Sequence, residues 1–227
     1  MATQTPFYLK QLGLGPMSNC VYAIGAHDSD TCVVIDPAWE VQKLISEVEK
    51  DGRKIVGCLV THYHPDHCGG HLWGHDIEGV AEVCKALDVP IYANKLEIDG
   101  IAKVTGVSLS QFKEMVSGEI YKLAGIDICP IHTPGHTPGS QCFLCADHLL
   151  SGDTLFVSGC GRVDLPGGDV DQMWDSIHNK LAPLPDHTVL LPGHHYDPQW
   201  SATFAEVRRL NPYLAANDAD EFKGRRL

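Results

Sequence analysis

The stretch THYHPDH at residues 61–67 carries three imidazoles and one carboxylate within six consecutive positions. It directly follows an apolar run that is typical of a buried strand. Side chains two positions apart at a strand end point to the same side, so His62 and His64 can bind one ion. The proline ends the strand, and Asp66 and His67 beyond it can reach a second ion. Since neutral imidazole nitrogens suit zinc and also iron, the stretch predicts a metal centre.

Three later loops place histidine or aspartate beside glycine where strands are expected to end. They are HTPGHTPG at residues 132–139, SGD at residues 151–153 and PGHHY at residues 192–196. Glycine and proline fix the course of such loops, and polar side chains at strand ends can converge without burying unpaired charge. Four such loops in order predict one composite site.

The remaining pattern shows strands in two groups with helices between them. We expect strands at residues 7–12, 20–24, 31–36, 54–60, 89–93, 119–123, 126–131, 141–145, 148–150 and, as the last strand, 189–191. We expect helices at residues 41–49, 77–87, 170–181 with Asp169 as N-cap, and finally 202–210, with one or two surface helices in 94–116. This order predicts an α/β (α+β) fold with two sheets between two helix layers, formed by residues 1–227 as a single domain.

Composition excludes several classes of function. The net charge of −12 argues against a nucleic-acid partner, because phosphate binding requires a basic face. No apolar run approaches the length of a membrane span, and the polar start of the chain does not resemble a secretory signal. The nine cysteines are scattered and odd in number, so we expect reduced thiols in a cytoplasmic protein. The oligomeric state stays open.

These motifs resemble the metallo-β-lactamase superfamily, whose fold is a four-layer αββα sandwich. The first loop matches the H-x-H-x-D-H motif of that family, and the resemblance extends from the first strand through His194. It implies two Zn²⁺ ions, alternatively Fe²⁺ or a mixed iron–zinc pair. The implied ligands are His62, His64 and His136 for the first metal, Asp66, His67 and His194 for the second, and Asp153 as a bridge between both. A hydroxide held between the ions would be the nucleophile, and the catalytic Asp66 would orient it.

Within that superfamily the complete ligand set looks most like the glyoxalase II-like, or hydroxyacylglutathione hydrolase-like, branch. This implies a dinuclear metallo-hydrolase acting on a small-molecule thioester or related acyl substrate. Asp153 stands where the antibiotic-hydrolysing branch uses cysteine, which argues against a true β-lactamase. Only 33 residues follow His194, so we expect the helical C-terminal domain that binds glutathione in glyoxalase II to be absent.

Two alternatives remain open at this stage. The segment at residues 159–164 and the tail RRLNP at residues 208–212 resemble the persulfide dioxygenases of the same superfamily. Those enzymes use one iron, held by residues that match His62, His136 and Asp153. Another metallo-hydrolase, such as a lactonase with weak β-lactamase activity, is the third hypothesis.

Two further residues are candidates for substrate binding. Arg162 lies on a loop beyond Asp153, where it could pair with a substrate carboxylate or form an ion pair with Asp164. Tyr196 could donate a hydrogen bond to an oxyanion or pack beside its loop.

Overall fold

The structure is a computed structural model that describes residues 6–225. Its strands are β1 Tyr8–Leu14, β2 Asn19–Gly25, β3 Thr31–Ile35, β4 Lys54–Leu59, β5 Gly70–Leu72, β6 His75–Ile77, β7 Ile91–Ala93, β8 Phe112–Glu114, β9 Tyr121–Leu123, β10 Ile126–His132, β11 Gln141–Cys145, β12 His148–Gly152, β13 Val189–Pro192 and β14 Ala202–Thr203. Its α-helices are α1 Val41–Lys50, α2 Pro65–Cys68, α3 Val80–Leu87, α4 Lys95–Thr105, α5 Val170–Asp175, α6 Phe204–Leu210 and α7 Ala219–Gly224. A 3₁₀ turn covers Leu109–Gln111, and a π-helical segment, Ser176–Leu181, continues α5.

The strands form two six-stranded sheets and one separate hairpin. The first sheet has the order β1-β2-β3-β4-β7-β8, the second has the order β14-β13-β12-β11-β10-β9, and β5 pairs only with β6. Neighbours β3 and β4 are parallel in the first sheet, and β12 and β13 are parallel in the second. Parallel neighbours bring their carboxyl ends to the same edge, so the loops that follow these strands meet there.

Three apolar cores hold the layers together. The middle core lies between the sheets and includes Tyr22, Ile35, Leu59, Phe143 and Leu191, all almost fully buried. A second core packs α1, α3 and α4 against the first sheet, and a third packs α5, its π-helical continuation, α6 and α7 against the second sheet. Removal of this apolar surface from water is the main force that joins the four layers. The predicted αββα sandwich is confirmed.

Several element boundaries differ from the sequence-based expectation. The helix expected from Ile77 begins at Val80, because Ile77 completes β6 and the Glu82 side chain accepts a hydrogen bond from the backbone N of Gly79. The 94–116 region contains α4, the 3₁₀ turn and the edge strand β8. Asp169 caps α5 as predicted, by accepting from the backbone N of Asp171 and Gln172.

The structure also contains elements that the sequence pattern did not predict, most of them near the C-terminus. The strand at 189–191 is not the last one, because β14 follows it and pairs with β13. Helix α6 starts at Phe204, since Thr203 is extended and caps the helix in a reciprocal pair with Glu206. Helix α7 then follows α6. The β5–β6 hairpin was not expected either.

No helix between residues 6 and 225 combines the length and the apolar character needed to span a bilayer. All nine cysteines are free thiols, in agreement with the expectation from their spacing.

Candidate metal centre

The polar loops meet at one edge of the sandwich, where the carboxyl ends of the parallel strands lie. The 61–67 loop follows β4 of the first sheet. The loops that carry His136, Asp153 and His194 follow β10, β12 and β13 of the second sheet. The site is therefore assembled from both sheets, and its parts are far apart in sequence.

His62, His64 and His136 form the first group of candidate ligands. One nitrogen of each ring lies within 4.8 Å of a nitrogen of each other ring. The ring centroids are 4.6–4.7 Å apart, and the rings meet edge to face. His62 and His136 are buried, while His64 is partly exposed.

Asp66, His67 and His194 form the second group, and all three are buried. Oδ2 of Asp66 lies 3.5 Å from Nε2 of His67 and 3.3 Å from Nε2 of His194. The two Nε2 atoms themselves are only 3.1 Å apart.

Asp153 lies between the two groups. Its Oδ1 is 3.3 Å from Nε2 of His67, and its Oδ2 is 3.4 Å from Nε2 of His194 and 3.7 Å from Nε2 of His136. One carboxylate thus contacts residues of both groups, which is the arrangement that a bridging ligand requires.

The hydrogen bonds of four imidazoles leave Nε2 as the atom that faces the centre of the site. Nδ1 bonds Thr61 Oγ1 in His62, Asp36 Oδ2 in His67, the Arg162 carbonyl in His136 and the Met17 carbonyl in His194, at 2.7–3.0 Å. Because Thr61 Oγ1 donates to Asp36 and the other three partners can only accept, each Nδ1 carries the proton, and a neutral ring presents a lone pair on Nε2.

The donor set fits divalent cations. Nε2 of His62 and Nε2 of His136 are buried without a hydrogen-bond partner among residues 6–225. Buried polar atoms of this kind normally have a partner, and imidazole nitrogens aimed at a common point bind metals such as zinc and iron. Nδ1 of a metal-binding histidine is commonly fixed by a hydrogen bond to an oxygen, as it is here.

The two groups differ in charge when no metal is bound. Burial lowers the pKa of His62 and His136 below the ordinary histidine value and lowers the pKa of His64 to about 4. In the second group burial acts in the same direction, but the carboxylates of Asp153 and Asp66 together outweigh it and raise the pKa of His194 to about 9. The first group is therefore neutral near pH 7, whereas the second holds protons that a metal would have to displace.

The pKa values of the two acidic residues, Asp66 and Asp153, are lowered by the neighbouring imidazoles. Burial alone would raise the pKa of Asp66, but the neighbouring His67 and His194 lower it to about 2. The pKa of Asp153 is likewise held well below its ordinary value against burial, by His194 and His67. Both carboxylates are ionised over the physiological range.

Sequence reasoning missed the residues that fix the ligands. Asp36 accepts hydrogen bonds from the backbone N and Oγ1 of Thr61 and from Nδ1 of His67, at 2.7–3.0 Å. Asp36 also lies close enough to His62 and His67 to form a ligand group with them, but these hydrogen bonds occupy both of its oxygens. Its place directly after β3, at the same sheet edge, was the signal available in the sequence. Asn19 donates to Oδ2 and to the carbonyl of Asp66, at 3.2 and 2.9 Å.

Glu97 on α4 is the least expected of these residues. Its side chain is fully buried and accepts from the backbone N of Tyr63 at 2.7 Å, from Thr137 Oγ1 at 2.9 Å and from the backbone N of Gly139 at 2.6 Å. Burial raises its pKa, and these three hydrogen bonds act against that rise. Glu97 therefore links the loop of His62 and His64 to the loop of His136. A lone acidic residue in a weakly patterned segment gives no such signal in the sequence.

The two candidate substrate residues both lie at the site. Arg162 and Tyr196 line a cavity of about 230 Å³ whose floor includes His64, Asp66, His136, Asp153 and His194. Arg162 forms a two-point ion pair with Asp164 at 2.9 Å, and both side chains are more than half exposed. The ring of Tyr196 stacks on His194, with centroids 4.6 Å apart and the planes 7° from parallel.

Comparison with known proteins assigns the family. The family model of the metallo-β-lactamase superfamily matches residues 14–194, which include all seven candidate ligands. The chain belongs to this superfamily. The resemblance noted in the sequence is therefore confirmed, together with the fold.

Relatives within the superfamily differ in their named activities. The hydroxyacylglutathione hydrolase GloC of Haemophilus influenzae is 32% identical over 198 residues, which cover 82% of this chain and 89% of that protein. The mitochondrial persulfide dioxygenase ETHE1 of Bos taurus is 27% identical over 220 residues, which cover 96% of this chain and 79% of that protein. The crystal structure of TTHA1623 in a di-iron-bound form has a TM-score of 0.72 and 30% identity, and covers 90% of this chain and 99% of that one. Superfamily membership thus implies metal-dependent chemistry, and the similarity to GloC is consistent with the glyoxalase II-like branch.

Proposed function

We propose that this protein is a dinuclear metal-dependent hydrolase of thioesters or related acyl substrates. The observation that carries the proposal is that Asp153 contacts both ligand groups, each of which supplies three further side chains. Two Zn²⁺ ions, or iron in either position, suit these nitrogen and carboxylate donors. When bound, such ions would supply an activated water and polarise a carbonyl group.

The protein's own residues supply orientation and a fixed electrostatic environment. Asp66 is ionised at neutral pH, because the neighbouring imidazoles lower its pKa to about 2 in spite of burial. Its carboxylate is oriented by Asn19 and can accept a hydrogen bond from the attacking water, which positions the water for attack on an acyl carbon.

Substrate contacts are proposed for the two residues at the mouth of the cavity. Arg162 can bind a carboxylate or carbonyl oxygen of the substrate in place of, or together with, Asp164. The ring of Tyr196 stacks on His194, and we propose that its hydroxyl donates to the oxygen that becomes negative during acyl transfer.

The location and partner expected from the sequence are consistent with this activity. Nine free thiols suit a reducing compartment, so we propose that the protein acts in the cytoplasm on a small-molecule substrate. The charge of −12 argues against a polyanionic partner.

Metal analysis combined with a substrate panel tests the proposal. Protein prepared with both zinc and iron available should bind about two metal ions per chain and hydrolyse a thioester. The panel should contain a thioester, a lactone, a β-lactam and a persulfide. Turnover of the lactone alone would favour the lactonase alternative, and absence of hydrolysis in the two-metal protein would overturn the proposal.

A mononuclear iron dioxygenase is the second candidate. It is supported by similarity to the bovine persulfide dioxygenase over 96% of this chain and by the proximity of His136 and Asp153 in the site. This candidate predicts one iron per chain and oxygen consumption with a persulfide. That result, without thioester turnover, would replace the hydrolase assignment.

A further inference from the structure

The β5–β6 hairpin places a large apolar side chain beside the metal centre. Trp73 lies at the tip of this hairpin and is 76% exposed. The turn is tight, because Leu72 pairs directly with His75 and both Trp73 and Gly74 have positive φ angles. The hairpin joins neither large sheet, so the side chain is carried on a separate structural element.

The wall of the cavity is apolar around this tryptophan. Trp73 and Leu72 come from the hairpin, Met17 comes from the turn between β1 and β2, and Leu165 and Pro166 come from the loop after Arg162. Exposed apolar surface of this kind is common at ligand sites, where a few polar groups fix the orientation of a mostly apolar ligand. Here the polar groups are the candidate metal ligands on the floor.

The charges around the cavity favour an uncharged group beside Trp73. Arg162 is the one lysine or arginine among the described residues that line the cavity, and Asp164 already neutralises it. Leu72 and Trp73 carry no charge that could compensate a buried carboxylate. A charged group against them would lose hydration without a counter-charge, whereas an apolar group would gain by leaving water at Trp73.

We propose that the hairpin wall formed by Leu72 and Trp73 binds the acyl part of the substrate and selects acyl groups that are uncharged and apolar. This inference rests on the proposed hydrolysis of acyl substrates and adds the class of acyl group to it. The cavity of about 230 Å³ is large enough for a short hydrocarbon chain or one aromatic ring.

A series of thioesters with one neutral thiol, N-acetylcysteamine, tests the proposal. Zinc-loaded protein should show a KM that falls from acetyl to butyryl to phenylacetyl and rises for the charged succinyl group. Trp73→Ala should raise KM for phenylacetyl by about tenfold and leave KM for acetyl unchanged, because only the larger group reaches the wall. Trp73→Phe should restore most of the preference.

Leu109→Ala is the matched control, because Leu109 is also apolar and 59% exposed but does not line this cavity. It should leave the whole series unchanged. A thermal unfolding curve of each variant shows whether the fold is retained.

A binding measurement separates this inference from the proposed activity. Calorimetric titration of the zinc-loaded protein with phenylacetate and with acetate needs no turnover. Phenylacetate should bind more tightly than acetate to the unchanged protein, and Trp73→Ala should abolish the difference. Equal binding of phenylacetate by the two proteins would overturn the inference even if thioesters are hydrolysed. If the affinities for phenylacetate and acetate differ only when Trp73 is present, and no thioester is hydrolysed, the inference about the hairpin wall is supported and the proposed function is refuted.

Discussion

Oε2 of Glu97 accepts a hydrogen bond from the backbone N of Tyr63 at 2.7 Å, at the centre of the first ligand loop. The other oxygen of the same carboxylate accepts from the loop that carries His136. A single buried side chain therefore sets the separation between ligands that come from different sheets. Helix α4, outside the sandwich of sheets, is what holds that side chain in place.

Glu97→Gln should weaken metal binding at the first group. An amide has one acceptor oxygen, and its NH₂ group would face a donor, so at least one of the three hydrogen bonds is lost. We expect affinity for the ion at the first group to fall by about 10–100-fold, as for other changes to residues that orient the ligands. Competition with a chromophoric chelator measures this. Glu206→Gln, which alters only the cap of α6, should leave metal affinity unchanged, and an equal loss in both variants would contradict a specific role for Glu97.

Asp153→Ala should lose metal and activity together. The carboxylate contacts His67, His136 and His194, so its removal affects both ligand groups at once. Metal content after dialysis, measured by atomic spectroscopy, checks the outcome. Asp164→Ala removes an exposed carboxylate that pairs with Arg162 and should retain full metal content. Unchanged metal content in the Asp153 variant would refute the bridging assignment.

Zinc binding to metal-free protein at pH 7 should release protons. The pKa of His194, opposed by burial but raised to about 9 by Asp153, means that this ring is protonated before the metal binds. We expect roughly one to two protons per chain, and weaker binding at the second group as pH falls. Calorimetric titration in buffers of different ionisation enthalpy measures the release. Heats that do not depend on the buffer would contradict the prediction.

The same pKa shift determines how the metal-free fold responds to pH. The folded-state pKa of His194 lies above the ordinary histidine value of about 6.5, so the protonated ring stabilises the fold. This contribution is complete below about pH 6.5 and is lost as pH rises through about 9. Urea unfolding of metal-free protein at pH 6 and pH 9.5 should show the decrease. His194→Ala should reduce this difference without removing it, because Asp153 and Asp66 also raise the pKa of His67 well above its ordinary value against burial.

Gly135→Ala should destabilise the loop that carries His136. Gly135 has a φ of +136°, and an added Cβ would lie 2.4 Å from the backbone N of Met173 on α5. Gly118→Ala is a matched control, because its φ of +84° is also unfavourable but no atom lies within 4 Å of the added Cβ. The control should cost about 1–2 kcal/mol from backbone strain alone, and Gly135→Ala should cost more. Equal losses in denaturant unfolding would show that the contact with α5 is unimportant.

Much of the fold could be predicted because its signals are local. The buried strand before residue 61, the spacing of Val41, Leu44, Ile45 and Val48 and the Asp169 cap depend only on neighbouring residues. The β5–β6 hairpin was missed because its strands are three residues long and partly exposed, so they lack a periodic pattern. The same holds for β14, which has two residues and forms only through pairing with β13.

The site could be predicted as far as its candidate ligands are concerned. Histidine and aspartate beside glycine at strand ends are visible in sequence, and the structure brings all seven together. Asn19 and Glu97 were not found, because each acts through hydrogen bonds to residues more than 30 positions away. Such partners become evident only when the tertiary structure places a buried polar side chain beside a loop.

Each ligand group takes members from both sheets: His62 and His64 are joined by His136, and Asp66 and His67 are joined by His194. Neither group exists until the sheets have docked through the core that contains Phe143 and Leu191. Metal capture is therefore a late event in the maturation of this protein, and a chain released from the ribosome only as far as β8 has no complete site. A bound ion would be coordinated by residues from both sheets and would stabilise their packing. Removal of the metal with a chelator should therefore increase the rate of unfolding.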